Sequence, residues 1–207
     1  MRALEQRGHR TEAVDLPTDQ PDLGTDDYAE IVREQVGTDA DAIVVAHSAS
    51  GLLLPATARA LNAKQQVWLA AWVPHPTASL IEEVERRADV AFAPDWLGND
   101  PTSDRSVAEH FLFHDCDDQT RDWALTTLRL FVPRAAYAER IALGATTAST
   151  YIVASDDRTI RPEWQRRMAR QRLGTEPLEI AAGHCPHVSR PDHLAEVLAG
   201  LGKPSMG

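Results

Sequence analysis

Residues 44–53 read Val-Val-Ala-His-Ser-Ala-Ser-Gly-Leu-Leu and join an apolar run to small residues that include two serines. A serine between a strand and a helix is a candidate nucleophile, because a sharp turn there exposes its hydroxyl and directs helix amides towards it. Such a turn needs small residues two positions before and after the serine. Ser48 has Ala46 and Ser50 there, whereas Ser50 would have Leu52. The spacing predicts Ser48 as the nucleophile, in a motif that lacks both glycines of Gly-x-Ser-x-Gly.

The composition indicates a protein that acts on small molecules. The 207 residues carry a formal net charge of −10, with no block of basic residues. This disfavours nucleic acid or an anionic membrane as a partner. The first residues lack the apolar run of a signal peptide, and no stretch approaches the roughly 20 apolar residues of a membrane span. Cys116 and Cys185 form no disulfide or metal-ligand pattern. We expect a cytoplasmic protein without a cofactor or metal.

Strand and helix signals alternate along most of the chain, which is typical of a parallel α/β sheet. Apolar and β-branched runs predict strands at 12–16, 42–46, 67–73, 151–154 and 178–181. Helical spacing predicts helices at 1–7, 26–36, 52–61, 162–173 and from 191 onwards. The continuous apolar run at 42–46 suits a central strand covered on both faces. The expected fold class is α/β, with a mostly parallel, doubly wound sheet in one domain over 1–207.

Between residues 77 and 144 the strand signal disappears and helical patterns replace it. We predict that 77–144 is a helical insertion in the α/β domain. Trp96, Phe111, Phe113 and Trp123 fall within it and are candidates for the lining of an apolar substrate pocket. The alternative is that these aromatic residues form the core of the insertion itself.

The same insertion contains a mixture of metal-ligand residue types at His110, His114, Asp115 and Cys116. His110 and His114 are four residues apart and would share one face of a helix. However, the His-Glu-x-x-His pattern of zinc hydrolases is absent, and the acidic run suits the start of the next helix. We therefore expect a helix cap here and no metal site.

Two later strands are followed by residues that could complete a catalytic group with Ser48. Asp156 and Asp157 follow the strand at 151–154, and His184 and His187 follow the strand at 178–181. Loops after parallel strands meet at the carboxyl edge of the sheet. An imidazole there could accept the serine proton while a carboxylate orients the ring. The residues alone leave open which aspartate and which histidine take these roles.

These segments resemble the α/β-hydrolase superfamily, in particular its small capped esterases related to hydroxynitrile lyases and plant methylesterases. The stretch AHSASGLL resembles the nucleophile turn, YIVASDDRTIRPEWQRRMA the acid loop and GHCPHVSRPDHLAEVL the histidine loop. WLAAWVPHP and FLFHDCDDQTRDWALTTLRLFVP resemble the strand before the cap and the cap itself. The resemblance spans nearly the whole chain and implies that 77–144 is a cap.

Position by position, the resemblance implies Ser48 as nucleophile, Asp157 as acid and His184 as base. In the family pattern two residues separate the acid from an aliphatic residue, as Arg158 and Thr159 separate Asp157 from Ile160, which disfavours Asp156. The family histidine directly follows a glycine, as His184 does, which disfavours His187. His47 should point to the opposite face of its strand, so we interpret it as a packing residue.

The resemblance also implies that the chain begins inside the helix after the first oxyanion loop. The Ala49 amide would be one oxyanion donor, and loss of the other would cost about 3 kcal/mol of transition-state stabilisation. A strand that normally lies between 12–16 and 42–46 would be absent, so we expect an N-terminally truncated sheet. The strand before the gap could move over, another copy of the chain could fill it in a homo-oligomer, or the natural protein could begin upstream. We favour the last.

Together these features predict a serine hydrolase that cleaves a small carboxylic ester through an acyl-enzyme. A cyanohydrin-type C–C lyase would need a lysine from the cap, and the two lysines of the chain, Lys64 and Lys203, lie outside 77–144. The remaining alternative is a catalytically weak or inactive hydrolase-like protein that binds a ligand.

Overall fold

The computed structural model describes residues 1–144 and 147–201, so that Lys203 lies outside the described residues. The four described strands form one parallel sheet in chain order: β1 Ile43–His47, β2 Gln65–Leu69, β3 Ala148–Ala154 and β4 Leu178–Ile180. The first described helices are α1 Arg2–Glu5, α2 Thr25–Val36, α3 Leu54–Leu61, α4 Leu80–Ala91 and α5 Arg105–Phe111. They are followed by α6 Asp118–Thr127, α7 Arg134–Ala138, α8 Pro162–Met168, α9 Pro186–Ser189 and α10 Pro191–Leu201. A 3-10 helix, Ser48–Leu53, precedes α3, and a π-helix, Ala169–Leu173, continues α8.

Alternate residues of the central strands pack on opposite faces of the sheet, as the twofold side-chain period of a strand requires. Val67 and Ile152 belong to an apolar cluster that includes residues of α10. Trp68 and Tyr151 belong to a second cluster, with Trp164 of α8. Helices therefore cover both faces, and the predicted α/β class with a parallel, doubly wound sheet is confirmed.

The predicted strand at 12–16 is wrong. This segment has no regular structure and pairs with none of the described strands. The Gln35 side chain of α2 instead donates to the Asp15 carbonyl at 2.8 Å and accepts from the Asp15 N–H at 3.1 Å. Val14 packs into an apolar cluster with Val32 of α2. The alternating pattern of 12–16 thus reflects side chains that pack on a helix, because none of the described strands lies beside this segment to share backbone hydrogen bonds.

The expectation of a central position for the strand at 42–46 is also wrong. β1 lies at an edge of the described sheet and pairs there with β2. Val45 is 41 % exposed, whereas Ala46 is buried in the cluster that contains Trp68. An apolar run in the sequence indicates that side chains are buried. It does not indicate which strands lie next to each other in the sheet.

The segment after β2 supports the turn that follows β1. β2 ends at Leu69, earlier than predicted, because Ala70 adopts a positive φ of 44° and leaves the strand direction. The Trp72 N–H then donates to the Ser48 carbonyl at 2.9 Å. A Cβ atom on Gly51 would lie 2.3 Å from the Trp72 carbonyl oxygen. The backbone at 70–72 and the 3-10 helix are therefore in direct contact.

The segment 77–144 contains the helices α4 to α7 and none of the four described strands. Its first helix is joined to the sheet domain by a buried ion pair between Glu83 of α4 and Arg172 of the π-helix, which are 3 % and 8 % exposed at their side chains. Arg172 Nη1 donates to Glu83 Oε2 at 2.9 Å, and Trp72 Nε1 donates to the same oxygen at 3.2 Å. No helix within the described ranges has the length and apolarity needed to cross a bilayer.

Substitution of Gly51 by alanine should destabilise the protein by about 2 kcal/mol, because the added methyl group overlaps a backbone carbonyl that cannot move independently. Urea unfolding followed by circular dichroism measures this loss. Gly200→Ala is the matched control, since Gly200 lies in α10 with no atom within 4 Å of its Cβ position. This control should be neutral or stabilising by about 0.5–1 kcal/mol. Equal urea midpoints for the two variants would contradict the contact.

Candidate active site

Ser48 occupies a strained turn directly after β1. Its φ is 57°, in the left-handed region that costs a residue with a Cβ about 1–2 kcal/mol. The hydrogen bond from Trp72 N–H holds this conformation. The next residue, Ala49, lies in the first turn of the 3-10 helix, where backbone N–H groups have no partner within a helix. The turn thus combines a half-buried hydroxyl with a helix amide beside it.

The structure distinguishes the two serines of the opening stretch. The Ser50 hydroxyl donates to the His47 carbonyl at 2.6 Å and accepts from the His47 N–H at 3.1 Å. The Ser50 hydroxyl is therefore engaged with the backbone of the turn that contains it. The Ser48 hydroxyl instead lies 2.9 Å from Nε2 of His184.

His184 connects Ser48 to Asp157. Its Nδ1 lies 2.8 Å from Oδ2 of Asp157, and its Nε2 faces the Ser48 hydroxyl. Both residues are buried, at 3 % exposure for His184 and 6 % for Asp157. With Nδ1 as the donor to the carboxylate, Nε2 carries the free lone pair and can accept a proton from the serine. The three side chains form one continuous hydrogen-bonded chain.

Asp157 is fixed by groups that the sequence analysis did not select. The backbone N–H groups of Thr159 and Ile160 donate to its Oδ1 at 2.6 and 3.2 Å, and the Thr159 hydroxyl donates to the same oxygen at 3.0 Å. Gln165 Nε2 donates to Oδ2 at 2.7 Å. An aspartate two residues before a threonine is a turn signal that could have identified Thr159. Nothing local distinguishes Gln165, a fully buried glutamine, from an exposed helical one.

The rival acid and base lie elsewhere. Asp156 is exposed, and its carboxylate contacts the Ser155 hydroxyl at 3.4 Å. His187 is exposed as well, and its ring packs edge-on against His47 with 4.7 Å between centroids. The ring that contacts Ser48 is therefore that of His184, and the carboxylate that contacts this ring is that of Asp157.

His47 does more than pack, which corrects the expectation that it points away from the site. Its Nε2 donates to the His184 carbonyl at 2.7 Å, and the two rings are 4.6 Å apart. Burial lowers the pKa of His47 well below its usual value, and the imidazoles of His184 and His187 lower it further. The alternation of side chains does not apply, because β1 ends at this residue and the turn begins.

The two cysteines do not compete with Ser48 as nucleophiles. Cys116 and Cys185 lie in one buried apolar cluster. Burial raises the pKa of the Cys116 thiol to about 11 and that of Cys185 well above its usual value. A thiol must ionise to attack, so neither side chain is reactive near neutral pH.

Three of the four aromatic residues predicted to line a substrate pocket pack together, and the fourth does not. Phe111 and Phe113 are buried in the cluster with Cys185, the residue after His184, and Trp96 packs on Phe111 with 5.2 Å between ring centroids. Trp123 is 59 % exposed on α6 and does not join them.

The residues considered as metal ligands make separate contacts. His114 Nε2 donates to the Asp156 carbonyl at 3.0 Å, and Asp115 Oδ2 accepts from the Gly183 N–H at 2.8 Å. Cys116 is buried among apolar side chains. Asp117, next in the acidic run, caps α6 by accepting from Thr120 N–H at 2.8 Å.

Comparisons with known proteins identify the family of the chain. A family model described as "Alpha/beta hydrolase family" matches residues 1–197. The chain belongs to the alpha/beta hydrolase family. It is 25 % identical over 180 residues to "Alpha/beta hydrolase nvfD" of Aspergillus novofumigatus (strain IBT 16806), covering 76 % of this chain and 68 % of that protein.

Solved structures share the fold of this alpha/beta hydrolase at low sequence identity. Polyneuridine aldehyde esterase superposes with a TM-score of 0.78 at 20 % identity, over 96 % of this chain and 90 % of that one. A pyrethroid hydrolase from Sphingobium faniae JZ-2 gives a TM-score of 0.67 at 20 % identity, over 97 % and 89 %. A variant of tomato methylketone synthase I complexed with beta-ketoheptanoate gives 0.73 at 16 % identity, over 97 % and 89 %.

The depressed pKa of His47 makes the stability of this hydrolase depend on pH. The unfolded chain protonates this histidine near pH 6.5, whereas the folded protein does not, so stability should fall as the pH drops below about 6.5. One such proton contributes a slope of up to about 1.4 kcal/mol per pH unit. Urea unfolding at pH 7.5 and 5.0 should show a smaller loss for His47→Gln than for the unaltered protein. His9→Gln, at an exposed position, is the control, and equal losses in all three proteins would contradict the prediction.

Proposed function

We propose that this alpha/beta hydrolase is a carboxylic ester hydrolase in which Ser48, His184 and Asp157 form a catalytic triad. The observation that carries the proposal is the unbroken hydrogen-bonded chain from the Ser48 hydroxyl through both ring nitrogens of His184 to the buried Asp157 carboxylate. Serine is a weak nucleophile at neutral pH, and an adjacent imidazole makes it effective by accepting its proton.

In the acylation step, Ser48 Oγ attacks the ester carbonyl carbon while its proton passes to His184 Nε2. The tetrahedral intermediate collapses, the bond to the alcohol oxygen breaks, and the alcohol leaves with the proton from Nε2. Asp157 holds the Nδ1–H and stabilises the imidazolium that exists between these two transfers. The Ala49 amide is the proposed donor to the oxyanion.

In the deacylation step, a water molecule attacks the acyl carbon and gives its proton to His184 Nε2. The bond between that carbon and Ser48 Oγ then breaks, the carboxylic acid is released, and Oγ recovers the proton. The balance is one ester and one water consumed for one acid and one alcohol formed. Each proton passes through a nitrogen that already lies 2.9 Å from the nucleophile.

The proposed substrate is a small ester bound beneath a cap formed by 77–144. Phe111 and Phe113 pack beside Cys185, next to the proposed base, and Trp96 packs on Phe111, which supports an apolar contribution from this cluster to the acyl or alcohol site. Trp123 would act at the outer surface of the cap, since it is largely exposed. The names of two structural neighbours, an esterase and a pyrethroid hydrolase, support the ester class.

A fluorophosphonate probe should label the unaltered protein and fail to label Ser48→Ala, because only an activated serine reacts with it. Ser50→Ala is the matched control, since Ser50 is two residues away and engaged with the His47 backbone. Gel fluorescence after labelling measures the result. Labelling of Ser48→Ala at the rate of the unaltered protein would refute the assignment of the nucleophile.

Substitution of the acid should discriminate between the adjacent aspartates. Asp157→Asn should lower kcat for p-nitrophenyl acetate by about 10⁴-fold, because an amide at this position no longer favours the productive histidine tautomer. Asp156→Asn should stay within a few-fold of the unaltered protein, since its carboxylate contacts Ser155 and faces solvent. A larger loss in Asp156→Asn than in Asp157→Asn would reverse the assignment.

A further inference from the structure

Two side chains from distant parts of the chain form hydrogen bonds with the backbone on either side of the His184 Cα. Asp115, between α5 and α6, accepts a hydrogen bond from Gly183 N–H at 2.8 Å. His47, at the end of β1, donates to the His184 carbonyl at 2.7 Å. The two contacts span 68 and 137 residues of sequence. Neither partner belongs to the triad.

The Asp115 contact is built into the packing of the loop. The Asp115 side chain is 10 % exposed, and a Cβ on residue 183 would lie 2.6 Å from its Oδ1. Glycine at position 183 is therefore what permits the carboxylate to reach the N–H. Arg190 reinforces the placement by donating to the Asp115 carbonyl at 3.1 Å. The buried carboxylate costs desolvation free energy, and its one close hydrogen bond from the backbone is directed to the histidine loop.

The His47 contact fixes a tautomer as well as a position. A carbonyl oxygen only accepts, so Nε2 of His47 must carry the proton. His47 immediately precedes Ser48, and it therefore ties the segment that carries the nucleophile to the backbone that carries the base. A shift of the histidine loop relative to β1 would therefore change both this hydrogen bond and the contact between Ser48 and His184.

We propose that Asp115 and His47 are positioning residues that together hold the Gly183–His184 backbone so that His184 Nε2 stays within hydrogen-bond distance of Ser48. This inference rests on the proposed function for its effect on rate. Neither residue touches the reacting atoms. Displacement of a general base by about 1 Å is enough to reduce a rate by about 100-fold.

The first test compares kinetics with p-nitrophenyl acetate in paired variants. Asp115→Ala and His47→Phe should each lower kcat by about 30- to 100-fold with KM within about threefold, because the base moves while the substrate contacts remain. Asp115→Asn keeps an acceptor oxygen and His47→Gln keeps an N–H donor, so each should recover to within about tenfold of the unaltered protein. Asp118→Ala, at an exposed residue of α6, is the control for loss of an acidic residue in this region.

The double variant Asp115→Ala/His47→Phe tests whether the two contacts act on one element. If both act by holding the same loop, its loss in kcat should be clearly smaller than the product of the single losses. Multiplied losses would show two independent effects and overturn the shared role. Rates equal to that of the unaltered protein in folded single variants would overturn it as well, as would an Asp115→Asn variant no better than Asp115→Ala.

A measurement that does not depend on catalysis tests the positioning role of Asp115 independently of the proposed function. Amide hydrogen exchange at Gly183, followed by NMR, should be faster in Asp115→Ala than in the unaltered protein and in Asp118→Ala. If the unaltered protein shows no Ser48-dependent turnover, the proposed function fails. Faster exchange at Gly183 in Asp115→Ala would still support the role of Asp115 in holding the histidine loop. Unchanged exchange at Gly183 in a folded Asp115→Ala variant overturns it in either case.

Discussion

The contact between the Ser48 turn and the backbone of Trp72 is the constraint on which the site depends. One residue supplies both parts of it, because its N–H bonds the Ser48 carbonyl and its carbonyl oxygen lies against Gly51. The positive φ of Ser48 is unfavourable by about 1–2 kcal/mol and persists only where the surroundings determine it. β2 ends and turns at Ala70 to bring Trp72 to this place. The turn that carries Ser48 is therefore positioned by the segment after β2 as much as by β1.

The choice between adjacent aspartates is made by backbone pairing. The N–H groups of Ser155 and Asp156 continue the hydrogen bonds of β3 with the β4 segment, to the carbonyls of Ile180 and Ala182. The chain then turns at Asp157, whose carboxylate is enclosed while that of Asp156 stays in solvent. Burial of a carboxylate removes its hydration, and hydrogen bonds from the protein offset that cost. The donors around Asp157 therefore satisfy a structural requirement and fix the oxygen that faces His184.

Sequence patterns predicted the parts of this protein that depend on local chemistry. The spacing of small residues selected Ser48, and apolar runs and helix signals placed three of the four described strands and five of the ten described α-helices within a few residues. They failed at 12–16 and for the place of β1, because side-chain burial does not reveal which strand lies beside another. Contacts such as Asp115 with Gly183 and His47 with His184 join residues that are 68 and 137 positions apart. No period of two or 3.6 residues encodes such pairs.

These contacts imply that positions in the site differ in the amino-acid substitutions that they tolerate. In the proposed triad, Ser48 and His184 exchange protons while Asp157 holds the Nδ1–H, so even an isosteric change there would alter the chemistry. Trp72 and Gly51 fix the position of the Ser48 turn, and Asp115 has the proposed role of fixing the loop that carries His184. A substitution that preserves their hydrogen bond or their size would leave these positions intact. Because rate falls steeply with displacement of the reacting atoms, a change in shape at Gly51 can be as harmful as a change of charge beside His184. The size of a side chain is therefore the stricter requirement around the backbone of this site, and its chemical identity is the stricter requirement within the proposed triad.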